Sequence, residues 1–259
     1  MSNVIPITAF KDNYIWAIHS LDDAELIVVD PGDAQPVFDY LQKNKLRLSY
    51  ILITHHHWDH TGGIKALLAQ YPQAQVIGPK NDNVSLLTQS VIENDKIILK
   101  NFDVTLNVLD IPGHTLGHIA YYNDDLLFCG DTLFSCGCGR IFEGTPEQMY
   151  QSLEKIKKLN KNARVYCGHE YTLANITFAQ AVEPNNAALL AYKERVLALR
   201  SQGLPSLPST LHTECEVNPF LRCTQEEIAK AVQKNANILT SDPGTIFAYL
   251  REWKNHFSA

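Results

Sequence analysis

No run of about 20 consecutive apolar residues occurs in this 259-residue chain, so no segment reads as a membrane-spanning helix. The opening MSNVIPITAFKDNYIW lacks a positively charged start followed by an apolar stretch, and no secretory leader is expected. Cysteine is scarce. Six residues, Cys129, Cys136, Cys138, Cys167, Cys215 and Cys223, are too few for a disulfide scaffold, and the expected compartment is a reducing, cytoplasmic one. Only Cys136 and Cys138 have a spacing that suggests metal, and a lone Cys-x-Cys in SCGCGR is read more simply as small residues in a Gly-rich turn. An excess of basic residues is also missing. The net charge of −6 argues against a broad nucleic-acid surface. No repeat with a period of roughly 20 to 50 residues is evident.

What is present is an ordinary globular composition, 45% hydrophobic and 19% charged, which excludes extensive disorder. Apolar runs rich in β-branched residues recur at 25–30, 50–54, 74–78, 103–111, 118–123, 125–130 and 163–168, and these are strand candidates. Helical patterns fall at 34–44, 63–71 and 146–159. In the last, Thr145 can cap, Pro146 suits the first helical position and Gln148 completes a capping box. Beyond about residue 172 the pattern becomes helical: one helix closed by Gly203, a Pro/Ser connector at 204–209, a helix at 224–234, and a last one begun by Ser241 or Asp242. A mixed α/β domain over 1–172 followed by a mainly helical domain over 173–259 is the expected organisation.

The chemistry concentrates in THHHWDH, residues 54–60. Extended backbone leaving a strand places His55 and His57 on one side and His56 on the other. Asp59 and His60 follow one turn further along the loop, where they can face a second ion. Three later segments each end a strand-like run in a polar residue beside glycine, offering His114, Asp131 and His169. Five imidazoles and two carboxylates exceed the four ligands, commonly including Cys, of a closed structural zinc site, and suit a binuclear site with open positions. His118 is a strand or supporting residue. His19, His212 and His256 are best read as surface or satisfied core histidines.

THHHWDH, with His114, Asp131 and His169 in order behind it, resembles the metallo-β-lactamase superfamily. That likeness implies an α/β fold, an αββα sandwich with metals at one edge between the sheets, here extended by a C-terminal mainly helical substrate-binding domain. The segments GCGRIFEGTPEQMYQSL, CGHEYTLANITFA, VNPFLR and FAYLREWKNHF look like the glyoxalase II family, the hydroxyacylglutathione hydrolases, over essentially the whole chain. The resemblance implies hydrolysis of S-(2-hydroxyacyl)glutathione, with S-D-lactoylglutathione giving glutathione and D-lactate in methylglyoxal detoxification. It assigns His55, His57 and His114 to one metal, Asp59, His60 and His169 to the other, and Asp131 as the bridge, with Asp59 and Asp131 beside the attacking water. It also assigns Arg140, Phe142, Tyr171, Arg251 and Lys254 to glutathione. Some relatives carry Tyr where this chain has Phe142, which cannot supply a phenolic hydrogen bond. Arg251 and Lys254, at i and i+3, share a helix face; on spacing alone they serve a helix C-terminal dipole equally well.

Two divalent ions are therefore expected, zinc first, with iron or manganese compatible with the same ligands. Water held between them attacks the thioester carbonyl, a zinc-bound water having a pKa near ~7. The departing thiol, with a pKa near ~8.5, leaves without strong acid assistance. A small-molecule thioester, no nucleic acid, no membrane and a monomeric state are the expected partners and assembly. An iron-dependent persulfide dioxygenase on the same fold is weighed against by the second ligand set and the helical tail. A non-enzymatic metal-binding protein would hold metal without thioester turnover, and an RNA-processing nuclease is disfavoured by the acidic balance.

Overall fold

The structure is a computed structural model that describes residues 4–22 and 24–258. A first sheet takes its strands in chain order: β1 (Val4–Ala9), β2 (Asn13–His19), β3 (Glu25–Val29), β4 (Arg47–Leu52), β5 (Gln75–Pro79) and β6 (Gln89–Val91). β1 to β3 are antiparallel and β3 to β6 parallel. Between these strands lie helices α1 (Ala34–Asn44), α2 (Trp58–Thr61) and α3 (Ile64–Gln70). The second sheet contains β7 (Lys96–Leu99), β8 (Val104–Asp110), β9 (Ile119–Tyr122) and β10 (Leu126–Gly130). After a small hairpin of β11 (Leu133–Phe134) and β12 (Gly137–Cys138) and helix α4 (Pro146–Lys157), β13 (Arg164–Cys167) rejoins that sheet parallel to β10.

Two-residue periodicity explains the layering. Trp16, Ile18, Ile27, Val29, Leu52 and Ile77 of the first sheet face the second, whereas Ile15, Ala17, Leu26, Val28, Ile51 and Val76 face the other way, onto Val37 and Leu41 of α1 and Ile64 and Leu67 of α3. Both faces are covered, so these strands read as continuous apolar runs. Side chains also tie the sheets polar group to polar group. The buried Tyr121 hydroxyl of β9 reaches the carbonyls of Ile53 (2.8 Å) and Ile77 (3.0 Å), and Trp16 Nε1 donates to the Cys167 carbonyl at 2.9 Å. Each adds a hydrogen bond to a buried backbone carbonyl, and that of Ile77 already accepts the Ile53 N–H at 2.9 Å.

The tail consists of α5 (Thr172–Val182), α6 (Ala187–Ser201), β14 (Ser209–Thr210), α7 (Leu211–Val217), α8 (Glu226–Ala236) and α9 (Pro243–His256). It is joined to the sandwich by β14, which pairs antiparallel with β13 and forms the edge of the second sheet. α4 starts on the expected capping box of Thr145 and Gln148, and Asp242 caps α9 ahead of Pro243. Sequence patterning passed over β1 and β2, the short strands β6, β7, β11, β12 and β14, and helices α2, α5 and α7. Pro6 masks β1 as an edge strand, and elements of two to four residues carry too little periodicity to register. Among the described residues no helix is long and apolar enough to cross a membrane.

Tyr121→Phe keeps the ring's packing and removes the hydroxyl, which should lower stability by about 1 to 1.5 kcal/mol in urea unfolding, with bound metal unchanged.

Candidate metal centre

β3, β4, β8, β10 and β13 all end at the same edge, and the loops leaving them converge between the sheets. The expected extended exit from β4 is not what forms: β4 ends at Leu52, Thr54 and His55 lie in a bend, and His57, at φ −56° and ψ 143°, stands directly ahead of α2. Asp59 and His60 differ: they sit in the one-turn helix α2, not in a loop. Helical rotation aims both carboxylate and imidazole inward from adjacent positions. At the end of β10, Gly130 adopts φ +46°, and a Cβ there would stand 2.3 Å from Thr54 Oγ1, so only glycine permits the turn that presents Asp131. Gly168, ahead of His169, leaves room in the same way, since a Cβ would lie 2.4 Å from Asp131 Oδ1.

All seven candidate ligands come together. His55 Nε2 is 3.2 Å from His57 Nδ1, which is 3.0 Å from His114 Nε2. Zn–N bonds of roughly 2.0–2.1 Å in a tetrahedron require N···N edges of about 3.3–3.4 Å, close to this spacing. In the second group, Asp59 Oδ2 lies 3.6 Å from His60 Nε2 and 3.4 Å from His169 Nε2. Asp131 stands between the groups, Oδ1 3.4 Å from His60 Nε2, and Oδ2 3.2 Å from His169 Nε2 and 3.6 Å from His114 Nε2. His60 Nε2 and Asp131 Oδ1 are buried without a hydrogen-bond partner. Two such atoms facing one another are costly in a sealed site and are what a cation would satisfy. The residues present therefore fit two divalent ions.

The outer nitrogens of the imidazoles are fixed by acceptors, which turns the inner lone pairs toward the centre. His114 Nδ1 donates to the Arg140 carbonyl (2.7 Å), His60 Nδ1 to Asp30 (3.1 Å) and His169 Nδ1 to Asp12 (2.9 Å). Asp30 also accepts from the Thr54 N–H and hydroxyl, and Asn13 Nδ2 donates to Asp59. His118 is a supporting residue: its ring stacks on His55, its Nδ1 lies 3.0 Å from the Ile119 carbonyl and its Nε2 accepts the Asp131 N–H. Burial, with the neighbouring imidazoles, holds His55 and His57 below the ordinary histidine range, and burial does the same for His114 against the pull of Asp131. Burial would raise Asp131, but His60 and His169 hold it well below the carboxylate range. Conversely, burial would lower His169, but Asp131 and Asp59 push it up to about 10. The first group thus offers neutral nitrogen ligands and the second a compensated set of charges.

A cavity of about 450 Å³ opens over this floor. Its walls include Arg140, Phe142, Tyr171, Arg251 and Lys254, so every residue proposed from sequence for substrate contact lines one space. Tyr171 stacks on His169 with ring centroids 4.6 Å apart, and Phe142 sets its edge against His57 and His114. Arg251 is buried, its Nη1 donating to the Cys138 carbonyl at 2.8 Å while Nε has no partner. Lys254 donates to the Ala174 carbonyl and is pushed down to about 8 by burial and the nearby Arg251. Cys136 and Cys138 lie in and beside the β11–β12 hairpin, both buried as free thiols.

Sequence reasoning missed Asp12, Asn13, Asp30 and Asp82. Asp30 carried a usable signal, because ELIVVDPG ends an apolar run in a carboxylate beside Pro-Gly, the pattern that singled out Asp131. Asp12 and Asp82 sit in polar turns and Asn13 opens β2, none with any local distinction, and only the tertiary fold brings them to the site.

Residues 11–169 match the metallo-β-lactamase superfamily, and residues 170–257 match the family described as hydroxyacylglutathione hydrolase C-terminus. The hydroxyacylglutathione hydrolase of Vibrio parahaemolyticus is 52% identical over 257 residues, covering 99% of this chain and all of that one. That of Methylobacillus flagellatus is 51% identical with the same coverage. Among solved structures, ETHE1 from Myxococcus xanthus superposes with a TM-score of 0.65 at 24% identity, covering 98% of both chains, and the BLEG-1 B3 metallo-β-lactamase with 0.63 at 21%, covering 85% of this chain and 99% of that one. These structural likenesses show the fold. Because the first of them extends over 98% of this chain, the length of the tail does not separate this chain from that one.

His57→Ala should reduce metal per chain, measured by elemental analysis after gel filtration, while circular dichroism stays that of a folded protein. Full metal occupancy in this variant would remove His57 from the ligand set.

Proposed function

Because the chain belongs to the hydroxyacylglutathione hydrolase family of the metallo-β-lactamase superfamily, we propose that it hydrolyses S-(2-hydroxyacyl)glutathione thioesters, S-D-lactoylglutathione first among them, to glutathione and D-lactate. The observation that carries this assignment is one cavity in which three cations, Arg140, Arg251 and Lys254, stand together with five of the seven candidate metal ligands, His57, Asp59, His114, Asp131 and His169. Glutathione carries carboxylates that such cations hold by charge-assisted hydrogen bonds, and the cavity volume lies within the roughly 300–1,000 Å³ typical of small-molecule sites. Residues 1–172 supply the metal centre, and 173–259 bring Arg251 and Lys254 to it. The setting is a cytoplasmic monomer acting on a small molecule in methylglyoxal detoxification, without nucleic-acid or membrane partners.

His55, His57 and His114 would hold one ion, Asp59, His60 and His169 the other, with Asp131 shared between them. Zinc matches the donors, with iron and manganese compatible. Bound there, two such ions supply water with a pKa near ~7 and an electrophile for the carbonyl oxygen. The protein's own contribution is orientation. Asp59 and Asp131, which line the cavity floor, would accept from a water there and fix its hydrogens. Arg251, Lys254 and Arg140 anchor the glutathione end, which sets the thioester carbonyl against that water and converts binding into proximity. Tyr171 and Phe142 cover the imidazoles on the solvent side and exclude bulk water. The glutathione thiolate departs without a general acid, since its conjugate thiol has a pKa near ~8.5. No serine or cysteine nucleophile is needed, and burial pushes the Cys138 thiol up, away from one.

The direct test is loss of thioester absorbance from S-D-lactoylglutathione by metal-replete enzyme, abolished by chelation and restored by added metal. Turnover of other thioesters with none of this one would overturn the assignment. Arg251→Ala should lower kcat/KM by about 10- to 150-fold, mainly through KM, as expected for loss of a charge-assisted contact present in ground and transition states alike. Lys254 makes the pH dependence specific. Only the ammonium pairs with a carboxylate, so kcat/KM, which reports the free enzyme, should fall as pH rises through about 8. Lys254→Arg, which stays charged, should remove that limb of the profile.

A further inference from the structure

His56, the one histidine of THHHWDH that faces away from the metal centre, is neither idle nor exposed. Its Nδ1 lies 2.5 Å from Asp82 Oδ1, and its backbone N–H donates to Asp82 Oδ2 at 3.1 Å. Asp82 is itself held: Oδ2 also accepts from the Thr115 hydroxyl at 3.1 Å, and its side chain is 5% exposed. The Asn81–Asp82 turn is pressed against Gly117, where a Cβ would stand 2.3 Å from the Asn81 carbonyl oxygen. On its other side, His56 Nε2 faces Glu143 Oε1 at 3.4 Å, while Glu143 Oε2 accepts the Leu116 N–H at 2.9 Å.

Glu143 belongs to the loop that carries Arg140 and Phe142. That loop is also attached to the His114 turn, through Phe142 N–H to the His114 carbonyl (3.3 Å), Gly144 N–H to the Gly113 carbonyl (3.1 Å) and His114 Nδ1 to the Arg140 carbonyl (2.7 Å). Among the described residues, the side-chain links between this loop and the His55–His57 turn are the Phe142 ring contact with His57 and the approach of His56 to Glu143. Although His56, Asp82 and Glu143 could together surround a cation, the direct 2.5 Å approach of Asp82 to Nδ1 leaves no space for an ion between those atoms.

We infer that the Asp82–His56–Glu143 chain is a positioning strap: it ties the loop of Arg140 and Phe142 to the metal-ligand turn and sets the spacing between the substrate-holding wall and the reacting centre. This rests on the assignment of Arg140 and Phe142 to the substrate wall. The strap acts on how the substrate is held in both ground and transition states, so its loss falls on KM more than on kcat.

The test uses the metal-replete enzyme with Glu143→Ala and Glu143→Gln, combining hydrogen–deuterium exchange, metal content and kinetics with S-D-lactoylglutathione. With its oxygen kept on the Leu116 N–H, the glutamine amide turns its NH2 toward His56 Nε2, which accepts in the tautomer that carries its proton on Nδ1 toward Asp82, so the strap is preserved. Expected for Glu143→Ala are faster exchange over 140–144 with 55–60 unchanged, full metal content, KM raised about 3- to 10-fold and kcat within about twofold, all returned toward wild type by Glu143→Gln. Wild-type exchange and KM in Glu143→Ala would overturn the strap, as would loss of metal with a fall in kcat. If the wild-type enzyme does not turn over lactoylglutathione, the functional assignment fails, and the exchange pattern alone still decides whether the strap exists.

Discussion

A carboxylate sealed between two clusters of imidazoles is the constraint on which the rest of the molecule depends. Asp131 is buried, and an ionised carboxyl group in that position costs several kcal/mol unless cations or strong donors surround it. The fold meets that demand from all sides. His60 and His169 face its oxygens, the backbone N–H of Asp131 is taken by His118, and β10 turns at Gly130 to place the group there. Each imidazole then needs an outer acceptor, and those acceptors, Asp30, Asp12 and the Arg140 carbonyl, come from three different loops. One buried charge thereby dictates the arrangement of the whole edge of the sandwich.

The same hierarchy explains what could be seen in the sequence. The seven candidate ligands were legible because metal chemistry restricts residue type and the motif compresses four of them into six positions, while strand ends beside glycine mark the other three. Core strands such as β3, β4 and β5 were legible because burial on both faces leaves uninterrupted apolar runs, whereas the equally buried β2 was passed over. Asp12, Asn13 and Asp82 were not, since an aspartate or asparagine in or beside a polar turn has the same local appearance whether it touches solvent or supports a site residue. α2 was hidden for a related reason: four residues form a single turn, stabilised by its surroundings and not by any periodicity. The substrate wall was legible only through likeness to a family, because Arg251 and Lys254 have an equally good local explanation in the helix dipole.

The candidate metal ligands and the cations beside them come from distant parts of the chain, and hydrogen bonds tie the two together. Arg251 leans on the Cys138 and Gly139 carbonyls at the β11–β12 hairpin, so a tail helix is indexed to the same loop that leads to Arg140. The candidate ligands thus all stand on the sandwich, while two of the three cations of the cavity are brought to it by the tail.

The pairing of β14 with β13 carries a consequence for how the chain can be divided. Ser209 and Thr210 are the only residues that cover that edge of the second sheet among those described. A fragment ending before α5 would uncover the hydrogen-bonding groups of β13 at Arg164 and Val165, the two residues that β14 pairs. Such an edge is a template for strands of other molecules. The helical tail therefore covers a sheet edge as well as carrying Arg251 and Lys254, and the sandwich, although it contains all seven candidate metal ligands, does not keep that edge paired by itself.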